Sequence, residues 1–247
     1  MIPSDNITND IIKVIKNSRK IAILPHLNAD GDALGSSIGL YLTIRETGKE
    51  AAIILEEPVP NTYLFLPNID KVIVYNETLY GESKYASGNG KSIFDLVIAV
   101  DTGDLNRLGK RKIIFDCAET TVNIDHHATN TEFANINYVD TTASATGEII
   151  YKIAKLMDNK ISSELALCLY VALSSDTGGF RYSNTTPVTH QIAAELINRG
   201  VDVAEISRRL FDITSLGKVK LMALASQSLE ILENGKIAVM KIDDLMM

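Results

Sequence analysis

Apolar residues along this chain gather in short continuous runs, most of which end in an acidic or polar loop, and stretches with helical spacing lie between them. Positions 21–24, 51–55, 71–75, 95–100, 113–115 and 121–124 read as strands. The 95–100 run is almost continuously apolar, as expected of a central parallel strand covered on both faces. Ile7, Ile11, Ile12, Val14 and Ile15 give an opening amphipathic helix over 6–18. A second helix over 33–47 stops at Gly48, a third spans 144–157 with Glu148 in its first turns, and a fourth opens at Ser162 and runs to Leu173. Alternating strands and helices predict an α/β fold, a mainly parallel sheet flanked by helices.

The pattern changes at Thr186-Pro187. Helical spacing recurs over 188–199, 203–211 and 216–232, with no strand until 236–242. This predicts a catalytic domain over 1–186, a helical linker over 187–215, and the start of a smaller α/β domain over 216–247. That tail is too short for a full second core and leaves 236–242 as an unpaired apolar edge. Either it docks on the first domain or the gene continues beyond Met247. Leu210, Leu216, Leu221, Leu224 and Leu229 read as packing rather than as a cofactor pocket.

Composition narrows the function. The 247 residues are 46% hydrophobic, ample for a core, and carry a net charge of -7. With a pI near 5.2 the chain lacks the broad basic surface that long duplex nucleic acid requires. Short anionic substrates stay open, because bound metal ions can supply positive charge locally. Cys117 and Cys168 form no C-x-x-C pair and read as buried thiols in a reducing compartment. The N-terminus lacks a signal-peptide core, and no apolar run reaches 18 residues, so the expected location is the cytoplasm, without a membrane anchor. Segment 81–92 ends in Gly90-Lys91-Ser92, but Tyr85 stands where a P-loop needs its first glycine, which leaves a polar surface loop.

The chemistry concentrates in four loops. His26, Asp30 and Asp32 follow the first run, Asp101 and Asp104 follow 95–100, Asp125-His126-His127 follow 121–124, and Asp176 follows the fourth helix. Carboxylates and imidazoles delivered together at strand ends suit manganese, magnesium or zinc, and no cysteine stands near to make a thiolate site. A lone histidine is usually a hydrogen-bonded structural group; four convergent acidic loops favour metal ligation instead. Asp104 is either a helix N-cap or a support for the ligands, and His190 reads as an exposed helix residue.

The ordered series His26-x-x-x-Asp30-x-Asp32, Asp101-Thr-Gly-Asp104, Asp125-His126-His127 and Ser175-Asp176-Thr-Gly resembles the DHH phosphoesterase superfamily over about residues 20–185. The stretch from Asp176 to Pro187 looks most like its bacterial nanoRNase and pAp phosphatase group. The resemblance implies two divalent ions, most often manganese. His26, Asp30 and Asp101 would hold one; Asp32, Asp101, His126 and Asp176 would hold the other, with Asp101 bridging. His127 would face the scissile phosphate, as a catalytic and substrate-binding residue, and Asp125 would support the catalytic site without ligating. The implied reactions are hydrolysis of very short RNA to nucleoside 5'-monophosphates and removal of the 3'-phosphate from 3'-phosphoadenosine 5'-phosphate.

Arg107 and Arg181 are candidates for pairing with substrate phosphate. Within the same chemistry, an inorganic pyrophosphatase or a cyclic-dinucleotide phosphodiesterase is the alternative; from another class, an inactive nucleotide-binding or regulatory module. A homodimer is compatible with all of these. Members of the group normally continue into a second domain carrying a Gly-Gly-Gly-His stretch that grips substrate. That stretch is absent here, so truncation relative to a longer parent is expected.

Overall fold

The computed structural model describes residues 5–80, 93–244 and 246. Segment 81–92, with its P-loop-like ending, lies outside them. The chain divides into two compact units, Met1–Val203 and Ala204–Met247.

In the first unit α1 (Asp5–Asn17) leads into β1 (Lys20–Pro25), α2 (Gly31–Glu46), β2 (Glu50–Leu55), β3 (Val72–Val74), the short α3 (Glu77–Tyr80) and β4 (Leu96–Val100). Then come α4 (Lys112–Asp116), β5 (Thr120–Asp125), β6 (Ile136–Val139), α5 (Thr146–Leu156), α6 (Ser163–Asp176) and α7 (Pro187–Ile197). The six strands form one sheet in the order β3-β2-β1-β4-β5-β6, every neighbour parallel. This is the α/β fold that the alternation predicts. The compact unit continues to Val203, so α7, expected as part of a linker from 187, lies within it.

Strand side chains alternate between faces. Ala22, Leu24, Val97 and Ala99 enter one core cluster with Leu108, Ile114 and Phe115. On the helical side α2 packs against α5 and α6, and two glycines one turn apart, Gly31 and Gly35, set how near it comes to α6. A Cβ on Gly35 would sit 2.4 Å from the backbone oxygen of Cys168, and one on Gly31 2.5 Å from Ser175 Oγ. Only hydrogen at these positions lets the helices meet this closely, and that approach carries α6's last residue, Asp176, to the start of α2.

Two local expectations are corrected in this unit. The run 113–115 is helical, not a strand: it lies in α4, with Lys112 and Asp116 paired across one turn. The turn is pinned by the buried Arg111, whose Nη1 donates to Ile54 O at 2.9 Å. Three apolar residues cannot separate a buried strand from a buried helical turn by periodicity. Edge strand β6 was not anticipated; it is short and only partly buried, so its alternation is weak. Cys168 is buried as expected, whereas Cys117 is half-buried.

The second unit holds α9 (Leu216–Gln227) and a two-stranded antiparallel sheet, β7 (Glu230–Leu232) with β8 (Ile237–Val239); α8 (Val203–Ser207) starts at the junction. The 236–242 strand is therefore paired, and the expected helix over 216–232 ends at Gln227. Asn234 and Gly235, at φ 54° and 87°, turn the chain between the strands. An Asn-Gly pair between apolar runs is the sequence signal of a hairpin. Ser228 Oγ accepts from Lys241 N at 2.8 Å and donates to Lys241 O at 3.0 Å, closing its open end.

Candidate metal centre

Strand order reverses between β1 and β4, where the chain leaves the two strands in opposite directions and opens a crevice at their carboxyl ends. His26 follows β1 and Asp101 follows β4, so the two face each other across it, with Nε2 3.5 Å from Asp101 Oδ2. Asp101 turns back over the sheet with φ at 55°, held by its N–H donating to Ile124 O at 2.9 Å. Such a conformation costs about 1–3 kcal/mol and survives where the surroundings over-determine it.

The remaining residues arrive from neighbouring elements. Asp30 is the N-cap of α2: its Oδ1 accepts from the N–H groups of Asp32 and Ala33, both at 3.0 Å, and its Oδ2 lies 3.7 Å from His26 Nε2. Asp32, fully buried in the first turn of α2, accepts from Ser36 Oγ at 2.7 Å and from the N–H groups of Thr146 and Gly147 at 2.6 and 3.0 Å. His126, just past β5, brings its Nε2 to 3.1 Å from Asp176 Oδ2, 3.7 Å from Asp101 Oδ1 and 3.8 Å from Asp32 Oδ2. His127 Nδ1 lies 2.7 Å from Asp125 Oδ1, and its ring is the most exposed of the three.

Three overlapping donor sets result among the described residues: His26, Asp30 and Asp101; Asp32, His126 and Asp176; and Asp101, His126 and His127. Within each, one donor atom per residue lies within 4.8 Å of the others. The fold thus brings together all six residues expected as ligands. It also brings in His127, which the resemblance leaves off the ligand list.

The donors fit a divalent cation. His26 Nδ1 lies 2.6 Å from Leu27 O and His126 Nδ1 3.2 Å from Ala143 O, so each ring gives its Nδ1–H to a carbonyl and turns Nε2 to the carboxylates. His126 Nε2 is buried yet has no aligned hydrogen-bond partner, as a metal-ligating nitrogen would be. Burial opposes charge on His26, but Asp101 and Asp30 override it and push its pKa up to about 10. For His126 burial is again overridden, by Asp176, Asp32 and Asp101, to about 10. Burial, and then Asp101, push the Asp32 carboxyl well above its ordinary range. So concentrated a negative field is what a multiply charged cation relieves.

Asp125 is buried, yet its carboxyl is held below the usual range: His127 and Asn130 outweigh the effect of burial. His127 is raised by Asp125. Asp104 caps the turn after β4, accepting from Asn106 N at 2.8 Å. Arg107 is exposed, and its carbonyl accepts from Leu27 N at 2.8 Å, which ties it to the His26 loop. Arg181 donates from Nε to Gly178 O at 2.6 Å, turning onto its own loop. His190 lies exposed on α7, stacked on Phe180.

Sequence reasoning missed Thr146, whose Oγ1 donates to Asp101 Oδ1 at 2.9 Å; Asn184, in the stretch from Asp176 to Pro187 that carries the resemblance, borders the site and donates from Nδ2 to Ser144 O and Asp176 O at 3.0 and 3.1 Å. Sequence reasoning also missed Tyr63, whose phenol pairs with Ser175 beside Asp176. A hydroxyl 45 residues from its partner leaves no local pattern; nothing short of the fold reveals it.

A parallel α/β domain with a carboxylate and imidazole centre at the strand-order reversal is the class these observations define. The chain matches the DHH family, N-terminal domain, over residues 20–173, and it belongs to that family. It is 31% identical over 201 residues, 81% of its length, to the bifunctional oligoribonuclease and PAP phosphatase NrnA of Thermus thermophilus, and covers 56% of that protein. It is 30% identical to the Bacillus subtilis protein of the same name, with 93% of this chain and 69% of that one aligned. An exopolyphosphatase-related protein from Bacteroides fragilis shares the fold with a TM-score of 0.85 at 24% identity, over 96% of this chain and 69% of its own. Among the described residues no helix is long and apolar enough to cross a membrane.

Proposed function

We propose that this chain is the catalytic part of a two-metal phosphoesterase that cleaves very short RNA to nucleoside 5'-monophosphates and removes the 3'-phosphate of 3'-phosphoadenosine 5'-phosphate. The observation that carries the reading is Asp101, buried at the strand-order reversal, with one oxygen toward His26 and the other toward His126. A carboxylate so placed can span two ions about 3.5–4 Å apart. In this reading His26, Asp30 and Asp101 hold one ion, and Asp32, Asp101, His126 and Asp176 the other, with manganese the expected metal. The ions supply the positive charge that makes water nucleophilic near neutral pH and offsets charge developing on the phosphoryl oxygens.

The protein's own groups do the rest. Asp125 fixes the partly exposed His127 ring through Nδ1, which leaves Nε2 as the ring atom to donate a proton to a phosphoryl or leaving oxygen. Arg107, beside the His26 loop, is available to the flanking phosphate; Arg181, on the loop after Asp176, is the second candidate. The names of the Thermus and Bacillus relatives support this substrate class. A cytoplasmic setting belongs to the same reading, in keeping with two cysteines that form no disulfide.

The test is product analysis with manganese on di- to pentaribonucleotides and 3'-phosphoadenosine 5'-phosphate, alongside pyrophosphate and cyclic dinucleotides, for wild type, Asp101→Ala and His127→Ala. Mononucleotide release by wild type and its near-abolition in both variants is expected. Equal release by all three proteins would defeat the enzymatic reading.

A further inference from the structure

The start of α5 touches three of the proposed ligands, although none of the four acidic motifs includes it. Ala143 O receives the Nδ1–H of His126, while the N–H groups of Thr146 and Gly147 hold the two oxygens of Asp32. Residue Ala145, the N-cap of α5, offers no side-chain cap. A carboxylate from another helix takes that place, so Asp32 is held by the positive end of α5 as well as by Ser36.

Thr146 adds a side-chain contact. It is fully buried, and its Oγ1 donates to Asp101 Oδ1 at 2.9 Å. That bond occupies one lone pair of Oδ1 and leaves the rest of the atom toward His126 Nε2 and His127 Nδ1, each at 3.7 Å, while Oδ2 points toward His26 Nε2 at 3.5 Å. The carboxylate can therefore turn neither oxygen away without breaking a buried hydrogen bond.

We infer that Thr146 is a positioning residue that assigns the two oxygens of Asp101 to two different cation positions, so that the carboxylate bridges two ions rather than chelating one. This rests on the two-metal reading and extends it. Without the hydroxyl, Asp101 is free to rotate about its terminal torsion, which is broad for a carboxylate, and to close both oxygens on a single ion. The second ion then loses a ligand.

The experiment is manganese titration of the full chain, free Mn²⁺ being followed by electron paramagnetic resonance, for wild type, Thr146→Val and Thr146→Ser, with thermal melting of each. Wild type and Thr146→Ser should take up two ions with affinities within about threefold of each other, since serine keeps the donor. Thr146→Val should keep one tight ion and bind the second roughly 10- to 100-fold more weakly, the usual effect of losing a partner behind a ligand. Two ions bound by Thr146→Val as tightly as by wild type would overturn this inference alone. So would equal weakening in the valine and serine variants with matching losses in melting temperature, because that pattern marks a packing role. Uptake of fewer than two ions by wild type would sink the two-metal reading and this inference with it.

Discussion

The contact between α2 and α6 is the most direct handle on the site, because it joins Asp32 to Asp176 without involving either side chain. In Gly35→Ala the new Cβ falls 2.4 Å from Cys168 O and 3.0 Å from Ala172 N, where ordinary contact begins at 3.4 Å. Both neighbours are backbone, so the helices must separate by about 1 Å. Overpacking of this kind costs up to about 3 kcal/mol, and replacing glycine by alanine inside a helix returns about 1 kcal/mol. The net loss should be about 2 kcal/mol, read as a lower urea midpoint with an unchanged slope. Gly39→Ala meets only the mobile end of Leu169, at 3.1 Å, so it should change stability by less than about 1 kcal/mol. Gly217→Ala, with its nearest neighbour at 3.9 Å, should leave the helix no less stable. An ångström of misplacement at the proposed ligands should also lower the proposed turnover of short RNA by roughly 10²-fold in Gly35→Ala. Wild-type stability in Gly35→Ala, or a larger loss in Gly39→Ala, would refute the claim that close backbone approach builds the site.

Two further outcomes follow from charge. Burial raises the Asp140 carboxyl, but Thr142 and Lys152 outweigh it and hold the pKa below the ordinary 3.8; Lys152 Nζ is 3.0 Å away. A lowered carboxylate pKa stabilises the fold above its unfolded value and ceases to do so as pH falls through the folded one. Asp140→Asn should therefore be less stable at pH 7, with a deficit that closes as pH drops below about 3.8; a constant deficit in urea midpoints at both ends would contradict this. Asp125→Asn should bring the raised His127 pKa down toward 6.5, visible in ring-proton NMR of the metal-free protein, and slow hydrolysis about 10- to 100-fold. An unmoved His127 titration would mean that Asp125 does not set its charge.

The sequence by itself determined the class of fold, the parallel sheet and the group of residues to watch. Those features repeat locally: continuous apolar runs bury a strand on both faces, and an acid or imidazole at the end of each run marks one edge of the sheet. The hairpin of β7 and β8 was also legible, in Asn234-Gly235, and was overlooked. The short helix α4 was not, since three apolar residues carry no period. Tertiary structure alone decided how the proposed ligands are aimed. Asp101 reaches the centre through a left-handed turn, Asp32 is held by backbone of a helix more than a hundred residues away, and Asp176 arrives because α2 presents hydrogen atoms to α6. Pattern along a chain records which faces avoid water, a local property. The direction of a hydrogen bond between distant residues depends on how packed elements cross, and that exists only once the chain has folded.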